Sequence, residues 1–521
     1  MLYATFTQDN VMFYPQYQEA TTSGPAKSST TSPVVSPTKE PLRMTRGDSL
    51  LGESGGMNLT KMPYDILTHI FTLANEDDSC LATCSPSPTS RRPSRCGEVA
   101  VCLSHVSTQF RDVALSMPTL WRCISVQGRG RSELLRAKCF SSRTQTCPVD
   151  IDIDMTVTPK DSQRYICSLR QRYERTDDLR AVMTFLPPMK HWRSFCFTTK
   201  SDWNVRLLIT VLDQAAPELR TLSLCSLGTS TRTRTTTENA TVFNIFQGQT
   251  PALSNAFVRG IQLPCVLNVL SKLQELKLSC GTDHTQAHLD ECLDVISRNP
   301  NLKKLSFCGD VDIHRIDAFT TDPRPPIPLH SLEELAIGGF LPATLSYVLL
   351  QLDVPNLTSL TVGKLWRKNY NDALKALTPA TCPNIINLSL ISCVVHPYLS
   401  RFLPQLPAVQ GLTFDHWNNP PDAMLLSDDP AQVHPWKDLK RLCLTRPLNI
   451  NKPLIEALQR RQAMGLGPFE LLLEVDDLSL SCLDPMITMQ IRELTNLQFT
   501  TAGEYEQGNP HEEDPYDMRA W

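Results

Sequence analysis

The sequence predicts an α/β fold in which a short helical module precedes a long array of strand-plus-helix units. Three observations lead to this prediction. A segment near residue 62 has the apolar spacing of an amphipathic helix. A short apolar sequence motif, here called the phrase, recurs through most of the chain. The length of 521 residues exceeds what one ordinary hydrophobic core holds. A repeat array accommodates this length because each unit packs only on its neighbours.

Charge and composition limit the classes of partner. The chain carries 50 basic and 54 acidic residues, a formal net charge of −4, and its basic residues are scattered. This balance argues against nucleic acid and membrane surfaces as partners. The start has no signal-peptide pattern, and no apolar run is long enough to span a bilayer. We therefore expect a soluble protein of the cytoplasm or nucleus, with its eighteen cysteines present as reduced thiols.

Residues 1–56 and 503–521 are predicted to be disordered tails. The first contains the run TTSGPAKSSTTSPVVSPTKEP and few large apolar residues after Tyr17, and the second is acidic and interrupted by Pro and Gly. Such compositions bury too little apolar surface to offset the entropy lost on ordering.

Residues 57–126, here called the front module, contain two amphipathic segments. In the first, MPYDILTHIF, Pro63 is expected at the first helical position. The apolar residues at helical spacing are Ile66, Leu67, Ile70 and Phe71 in the first segment, and Leu103, Val106, Phe110 and Val113 in the second. The second helix is expected to stop before Leu120 and Trp121. Helices this short cannot close a core alone, so their apolar stripes must meet each other, the first repeats or a second protein.

A loop is predicted to be inserted in this module at about residues 76–98. It is rich in Ser, Pro and Arg and carries Cys80, Cys84 and Cys96, with Cys102 and His105 after it. Zinc sites are usually built from close C-x2-C pairs, and these spacings are irregular. We expect a flexible loop, with a metal site as the less favoured alternative.

The phrase apolar-x-x-apolar-x-apolar recurs across residues 191–502, often with a proline two residues ahead. Its last two apolar residues point to one side of a short strand. Helices are predicted between the strands at 202–216, 285–299, 341–352 and 451–464, and 127–190 is expected to hold first, irregular repeats. The middle apolar residues, spaced 20 to 34 residues apart, are Phe195, Leu222, Ala256, Leu276, Leu305, Leu335, Leu360, Leu388, Leu412, Leu442, Leu473 and Leu497.

The residues that flank each inward pair should form the opposite face of the strands. This set is mostly small and polar, with charges of both signs and no aromatic or basic stripe. Such a surface suits a protein or peptide segment better than an apolar ligand or a phosphate backbone. The charged residues that we select as target-binding candidates are Lys277, Lys304, Glu334 and Arg441.

The repeated phrase resembles leucine-rich repeats, and the front module resembles an F-box. The F-box pattern Leu-Pro-x-Glu-Ile-Leu-x-x-Ile-Phe is similar to the first segment, and a Val-Cys-x-x-Trp-Arg helix leading to Pro-x-Leu-Trp is similar to the second. Ser107 and Phe110 depart from the Cys and Trp of that pattern, and about twenty residues are inserted between the two halves relative to it. The residues that match the linker-binding pattern are Leu59, Pro63, Ile66, Leu67, Ile70, Phe71, Val106, Phe110 and Trp121.

This resemblance, which is closest to F-box-like proteins common in fungi, implies a non-catalytic adaptor. The front module would bind the Skp-type linker of a cullin-based ubiquitin ligase, and the repeats would hold a target protein. No cofactor or metal is expected, and no nucleotide-binding or nucleophile motif marks an enzyme. The alternatives are a leucine-rich-repeat scaffold whose front module is only a cap, an ordinary α/β domain, and an enzyme that uses a buried thiol.

Overall fold

The computed structural model describes residues 62–76, 97–128, 131–156, 179–228, 244–280, 286–309, 325–363, 383–391, 406, 408–415, 438–445, 452–475 and 485–501. The chain divides into two compact units, 1–58 and 59–521, and every described residue belongs to the second unit. The predictions for both tails, for Leu59 and for most of the inserted loop lie outside the described residues.

Within the described ranges, a parallel sheet of fourteen strands organises this unit, and its strands follow one another in chain order. A small parallel pair, β8 and β10, lies apart from it. The strands are β1 (Cys123–Gln127), β2 (Val149–Asp154), β3 (Trp192–Thr199), β4 (Thr221–Ser226), β5 (Asn255–Arg259), β6 (Glu275–Cys280), β7 (Lys304–Gly309), β8 (Ile327–Pro328), β9 (Glu334–Gly338), β10 (Leu352–Asp353), β11 (Ser359–Gly363), β12 (Asn387–Ile391), β13 (Gly411–Asp415), β14 (Arg441–Thr445), β15 (Glu470–Val475) and β16 (Asn496–Thr501).

Helices precede the sheet and connect many of its strands. They are α1 (Tyr64–Glu76), α2 (Glu98–Ser104), α3 (Thr108–Ser116), α4 (Arg131–Thr144), α5 (Asp202–Val211), α6 (Gln286–Ser297), α7 (Pro342–Leu350), α8 (Lys452–Ala463) and α9 (Pro485–Leu494). Short 3-10 helices span Pro118–Trp121, Met189–His191, Ile245–Gly248 and Leu263–Cys265, and residues 179–185 are also helical. The four helices predicted between strands are therefore present as α5, α6, α7 and α8, and the α/β class is confirmed.

In the parallel ladder, the predicted marker leucines of neighbouring strands lie side by side. For example, Leu335 pairs with Leu305 on one side and with Leu360 on the other. In the described strands of the large sheet other than β2 and β3, the side chains at the second and fourth positions enter one continuous apolar core, because successive side chains point to opposite faces. The corresponding core residues are Ile151 and Ile153 in β2, and Phe195 and Phe197 in β3. In β15 the residue in this row is Leu471, which pairs with Leu442, so the predicted marker Leu473 was two residues too late.

The sheet begins earlier than predicted. Strands β1 and β2 pair with each other and extend the ladder from β3, although neither carries the leucine phrase. Strand β1 starts at Cys123, inside the range predicted for the front module. Helical structure of the module therefore ends at Trp121, and the residues after it already belong to the sheet.

The second amphipathic segment is divided into α2 and α3 rather than forming one helix. Ser107 has extended backbone angles, and its hydroxyl accepts a hydrogen bond from the N–H of Phe110 at 3.1 Å. A serine in this position caps the first turn of the helix that follows. Val106 therefore lies at the break between the helices, and its side chain is exposed.

The expectation of reduced cysteines needs one correction. Cys123 is disulfide-bonded. The described cysteines that are present as reduced thiols are Cys102, Cys139, Cys147, Cys196, Cys225, Cys265, Cys292, Cys308 and Cys443. Within the described ranges, every helix is too short or too polar to traverse a lipid bilayer.

A close backbone approach beside β9 generates a testable prediction. Gly339 has a φ of +69°, and a Cβ added to it would lie 2.0 Å from the carbonyl oxygen of Gly309. Gly465 has a φ of +74°, but a Cβ there would meet nothing within 4 Å. Both Gly→Ala substitutions should cost about 1 to 2 kcal/mol for the left-handed backbone. Gly339→Ala should cost about 1 to 3 kcal/mol more, because the neighbouring strand must shift.

Thermal unfolding of the two variants beside the unchanged protein tests this difference. We expect the wild type to have the highest melting temperature, Gly465→Ala an intermediate one and Gly339→Ala the lowest. Equal melting temperatures for the two variants would show that the strands do not approach each other closely at Gly339.

Candidate functional site

Helix α1 has two apolar faces, and only one of them is buried. Leu67 and Phe71 are fully buried, and the Phe71 ring lies 5.2 Å from the Phe110 ring of α3. Ile66, Ile70 and Leu73 are 49%, 41% and 50% exposed. These three residues are separated by four and three positions, so they share one side of the helix. We call Ile66, Ile70 and Leu73 the apolar stripe.

Polar contacts fix the orientation of this stripe. The side-chain amide of Gln109 donates to the carbonyl oxygen of Met62 at 2.9 Å, which ties the start of α1 to α3. The buried indole of Trp121 donates to the carbonyl oxygen of Ala114 at 2.8 Å. The Arg143 guanidinium lies 4.1 Å from the centre of the Trp121 ring and joins α4 to the module. The stripe is therefore presented on a helix that the chain itself holds in place.

The predicted linker-binding residues separate into two groups. Leu67, Phe71, Phe110 and Trp121 lie in the core, where they hold the helices together. Pro63, Ile66, Ile70 and Val106 are exposed, and Leu59 is outside the described residues. Leu73 was not among the predicted linker-binding residues. Its spacing of three residues from Ile70 was the available signal.

The second candidate surface is the outer face of the sheet, formed from β4 onward by side chains at the first, third and fifth strand positions. At strands β4 and β5 this face is covered, since Ser223 and Phe257 are buried. It becomes accessible at β6, β7 and β9, since Lys277 is half-buried and Lys304 and Glu334 are exposed. Accessible side chains begin where the predicted target-binding residues lie.

A shallow depression of about 250 Å³ crosses strands β6, β7, β9 and β11 on this face. Its side chains, which define the polar depression, are Glu275, Lys277, Lys304, Ser306, Glu334, Ala336, Ser359 and Thr361, with Leu305 and Leu335 beneath. Small residues form the floor and charged residues the rim. The rim therefore offers carboxylates and ammonium groups around a space the size of a side chain or two.

Ion pairs between neighbouring residues hold the rim. The Lys304 ammonium lies 2.8 Å from a Glu334 carboxylate oxygen on the adjacent strand. The Lys277 ammonium lies 3.3 Å from Glu275, which also accepts a hydrogen bond of 2.9 Å from the Asn255 amide. The hydrogen bond from Lys304 to Glu334 raises the pKa of Lys304 above its ordinary value, so this amine stays charged at neutral pH.

Arg441 does not join this group. It lies five strands along the ladder from Lys304, which corresponds to about 24 Å at the usual strand spacing. Its guanidinium donates to Glu470 at 2.7 Å, and this hydrogen bond raises the pKa of Arg441. The structure therefore brings three of the four predicted target-binding residues together, namely Lys277, Lys304 and Glu334.

The outer face of β2 carries three aspartates. Asp150 pairs with Arg193 on β3. Burial raises the pKa of Asp152 to about 6, and the charge of Asp154 adds to this shift. Within the described part of the chain, no group of three His, Cys, Asp or Glu side chains could hold a metal ion. Of these three residues, Asp152 is the one whose raised pKa predicts a pH-dependent stability.

Asp152 should make the folded state less stable as the pH rises. Its folded pKa is raised from 3.8 to about 6. The associated contribution, at most about 3 kcal/mol, is therefore present below pH 3.8 and is lost as the pH passes through 6. Asp152→Asn removes this titration. The wild type should gain melting temperature when the pH falls from about 7.5 to about 4.5, and Asp152→Asn should gain less.

The matched control is Asp112→Asn on the exposed surface of α3. This variant should follow the wild-type pH profile. If Asp152→Asn follows it too, the Asp152 carboxyl does not titrate in the raised range.

Comparison with known proteins gives no family for this chain: no protein-family model matches the sequence, and no curated protein matches it. Proposals for its function therefore depend on the apolar stripe and the polar depression themselves.

Proposed function

We propose that this chain is a non-catalytic substrate-recognition adaptor of an SCF-type (Skp–cullin–F-box) ubiquitin ligase. In this proposal the front module is an F-box that binds the Skp-type linker, and through it a cullin. The strand-plus-helix array is a leucine-rich-repeat solenoid that binds a target protein. The observation that carries the proposal is the apolar stripe: Ile66, Ile70 and Leu73 stay exposed on a helix whose other face is fully packed.

The exposed stripe supports a protein partner for a physical reason. Three large aliphatic side chains on one helical face leave apolar surface in water. Since each is already about half-buried, complete burial by a partner contributes about 1 kcal/mol per side chain. An amphipathic helix that docks its apolar side in a groove is a common recognition mode. Because Leu67 and Phe71 already anchor α1 to the core, binding costs little ordering of the module.

The arrangement of the sheet supports the repeat part of the proposal. Its strands are parallel, follow chain order and keep one register from β9 to β14. Each unit contributes one apolar pair to a shared core and cannot bury that pair alone, as in repeat proteins generally. The outer face of such a ladder is a long, regular surface for a protein ligand.

The polar depression is the proposed contact with the target. Its rim places Glu275, Lys277, Lys304 and Glu334 around a floor of small side chains. These ion pairs are partly solvated, so a ligand that carries both signs of charge can exchange partners with them at low cost. An extended peptide segment with alternating acidic and basic residues fits this chemistry. The adaptor would then contribute to ubiquitin transfer by holding the target near a separate enzyme.

A scaffold without a ligase role is the second candidate. The observation in its favour is that α4, packed on the front module through Arg143 and Trp121, covers the first edge of the sheet. The Arg136 guanidinium of α4 donates to the carbonyl oxygen of Ser125 on β1 at 3.0 Å. Ile124 and Val126 of β1 are 0% exposed, although β1 is a terminal strand. A terminal cap of this kind is required by repeat proteins whether or not it binds a partner. Linker binding separates the two candidates.

Replacing the stripe should abolish linker binding without unfolding the chain. We expect Ile66→Glu with Ile70→Glu to weaken binding to a Skp-type linker by at least about 30-fold, because each change places a charge in a buried contact. Titration calorimetry or a pull-down with purified linker measures the loss. The control is Leu350→Glu on α7, which alters a leucine that is 62% exposed elsewhere.

Leu67→Ala separates packing from recognition. It should lower the melting temperature, because removing a buried leucine costs about 2 to 5 kcal/mol. The F-box proposal would be contradicted by a wild-type chain that never binds the linker, or by stripe variants that bind it normally. The scaffold without a ligase role would then be the remaining candidate function.

Charge reversal should locate the target contact. The pair Lys304→Glu with Glu334→Lys keeps an ion pair but exchanges its signs within the polar depression. Arg441→Glu with Glu470→Lys does the same outside it and is the matched control. We expect proximity labelling in cells to lose partners with the first pair only, while linker binding survives in both. Loss with the second pair only would move the contact to β14 and β15.

A further inference from the structure

The two ends of the fourteen-stranded sheet differ. At the first end, Leu120 and Trp121 are buried beside β1, and the inward residues of β1 are fully covered. At the last end, the inward residues Leu497 and Phe499 of β16 are only half-buried. Their neighbours Leu471 and Leu473 on β15 are buried like the rest of the row. One end of the core is therefore closed, and the other leaves part of its last apolar layer accessible.

The backbone of β16 also has one open side among the described strands. The N–H of Asn496 donates to the carbonyl oxygen of Phe469 at 3.1 Å. In a parallel ladder, alternate residues bond to the same neighbour, so Asn496, Gln498 and Thr500 are directed toward β15. Leu497 and Phe499 direct their N–H and C=O groups to the opposite side, where the described part of the sheet has no further strand.

The sequence of β16 contains none of the usual protections of an edge strand. The segment NLQFTT has no charge, proline or glycine. Natural edge strands are commonly protected by lysines, prolines, bulges or a covering element, because an unprotected edge pairs with another strand. The adjacent helix α9 adds apolar surface here, since Met486 and Met489 are 58% and 49% exposed.

We propose that β16 pairs antiparallel with β16 of a second copy of this chain. Such a contact has twofold symmetry, so the same patch meets itself and charges would oppose like charges. The strand is uncharged, and α9 carries only Arg492 and Glu493, so self-pairing meets little repulsion. It supplies partners for the backbone groups of Leu497 and Phe499, and it brings the α9 methionines of the two copies toward each other. Methionine adapts readily to such a contact.

A pair of lysine variants tests this contact in the full chain. Asn496 and Gln498 are exposed at the first and third positions of β16, and Asn387 and Ser389 occupy the same positions of β12, which has a neighbour on each side. Asn496→Lys with Gln498→Lys places four lysines at the proposed twofold contact. Asn387→Lys with Ser389→Lys adds the same charge at a site away from it.

Sedimentation equilibrium measures the outcome. We expect a dimer of the wild type at micromolar to tens of micromolar concentration. The β16 variant should raise the dimer dissociation constant by about tenfold or more, and the β12 variant should leave it unchanged. As a second measurement, Gln498→Cys should form a 498–498 disulfide under mild oxidation, identified by mass spectrometry, whereas Ser389→Cys should not.

Two results would overturn the proposal. One is a wild-type chain that remains monomeric over this range, including a monomer whose Leu497 and Phe499 amides exchange slowly because residues after 501 cover them. The other is a dimer that both lysine variants weaken equally or not at all.

Discussion

The lateral stacking of apolar side chains along the ladder is the contact on which the rest of this structure depends. Each strand contributes two inward residues, and each row continues from one strand to the next in register. A single pair could not exclude water, but a row of them forms one continuous core. The parallel order of the strands, the positions of the connecting helices and the regular spacing of the outer side chains all follow from keeping these rows aligned.

Both candidate surfaces are consequences of this alignment. Because the inward positions are occupied by Leu, Ile, Val and Phe, polar residues are confined to the outer positions, where they meet across strands. Lys304 and Glu334 are neighbours for this reason, although thirty residues of sequence separate them. The front module obeys the same requirement at the first end of the core. Leu67 and Phe71 face inward with the sheet, which leaves the remaining aliphatic residues of α1 to solvent.

The sequence predicted the rows well where the leucine phrase was clear. Apolar residues at i and i+2 with polar neighbours determine which side chains face inward, so the outer sets from β6 to β14 were predicted correctly. The prediction failed in LLLEV, because three consecutive leucines do not indicate which of them face inward. Leu473 was chosen there as the marker instead of Leu471. Strands β1 and β2 were missed because CISVQ and VDIDID lack the phrase. Only tertiary pairing identifies them.

The front module shows a different limit. Four apolar residues on α1 span more than one face, and the sequence cannot say which half is buried within the chain. That depends on the position of Phe110, which in turn depends on the helix break at Ser107. Arg441 and Lys304 were predicted to bind the same target, although they are too far apart to form one site. Both occupy the same row, but the number of strands between them decides whether one ligand can reach both.

The strict chain order of the strands also affects how the molecule can form. Every pairing in the large sheet joins strands that are consecutive within it, so no step requires distant parts of the chain to find each other first. An array in which each unit contacts only its neighbours can begin to fold at any completed segment and grow from it. Since the front module and α4 lie at the β1 end of the sheet, the segments that cover this end are synthesised before β2 and all later strands. Each later unit is then added to an existing template during synthesis.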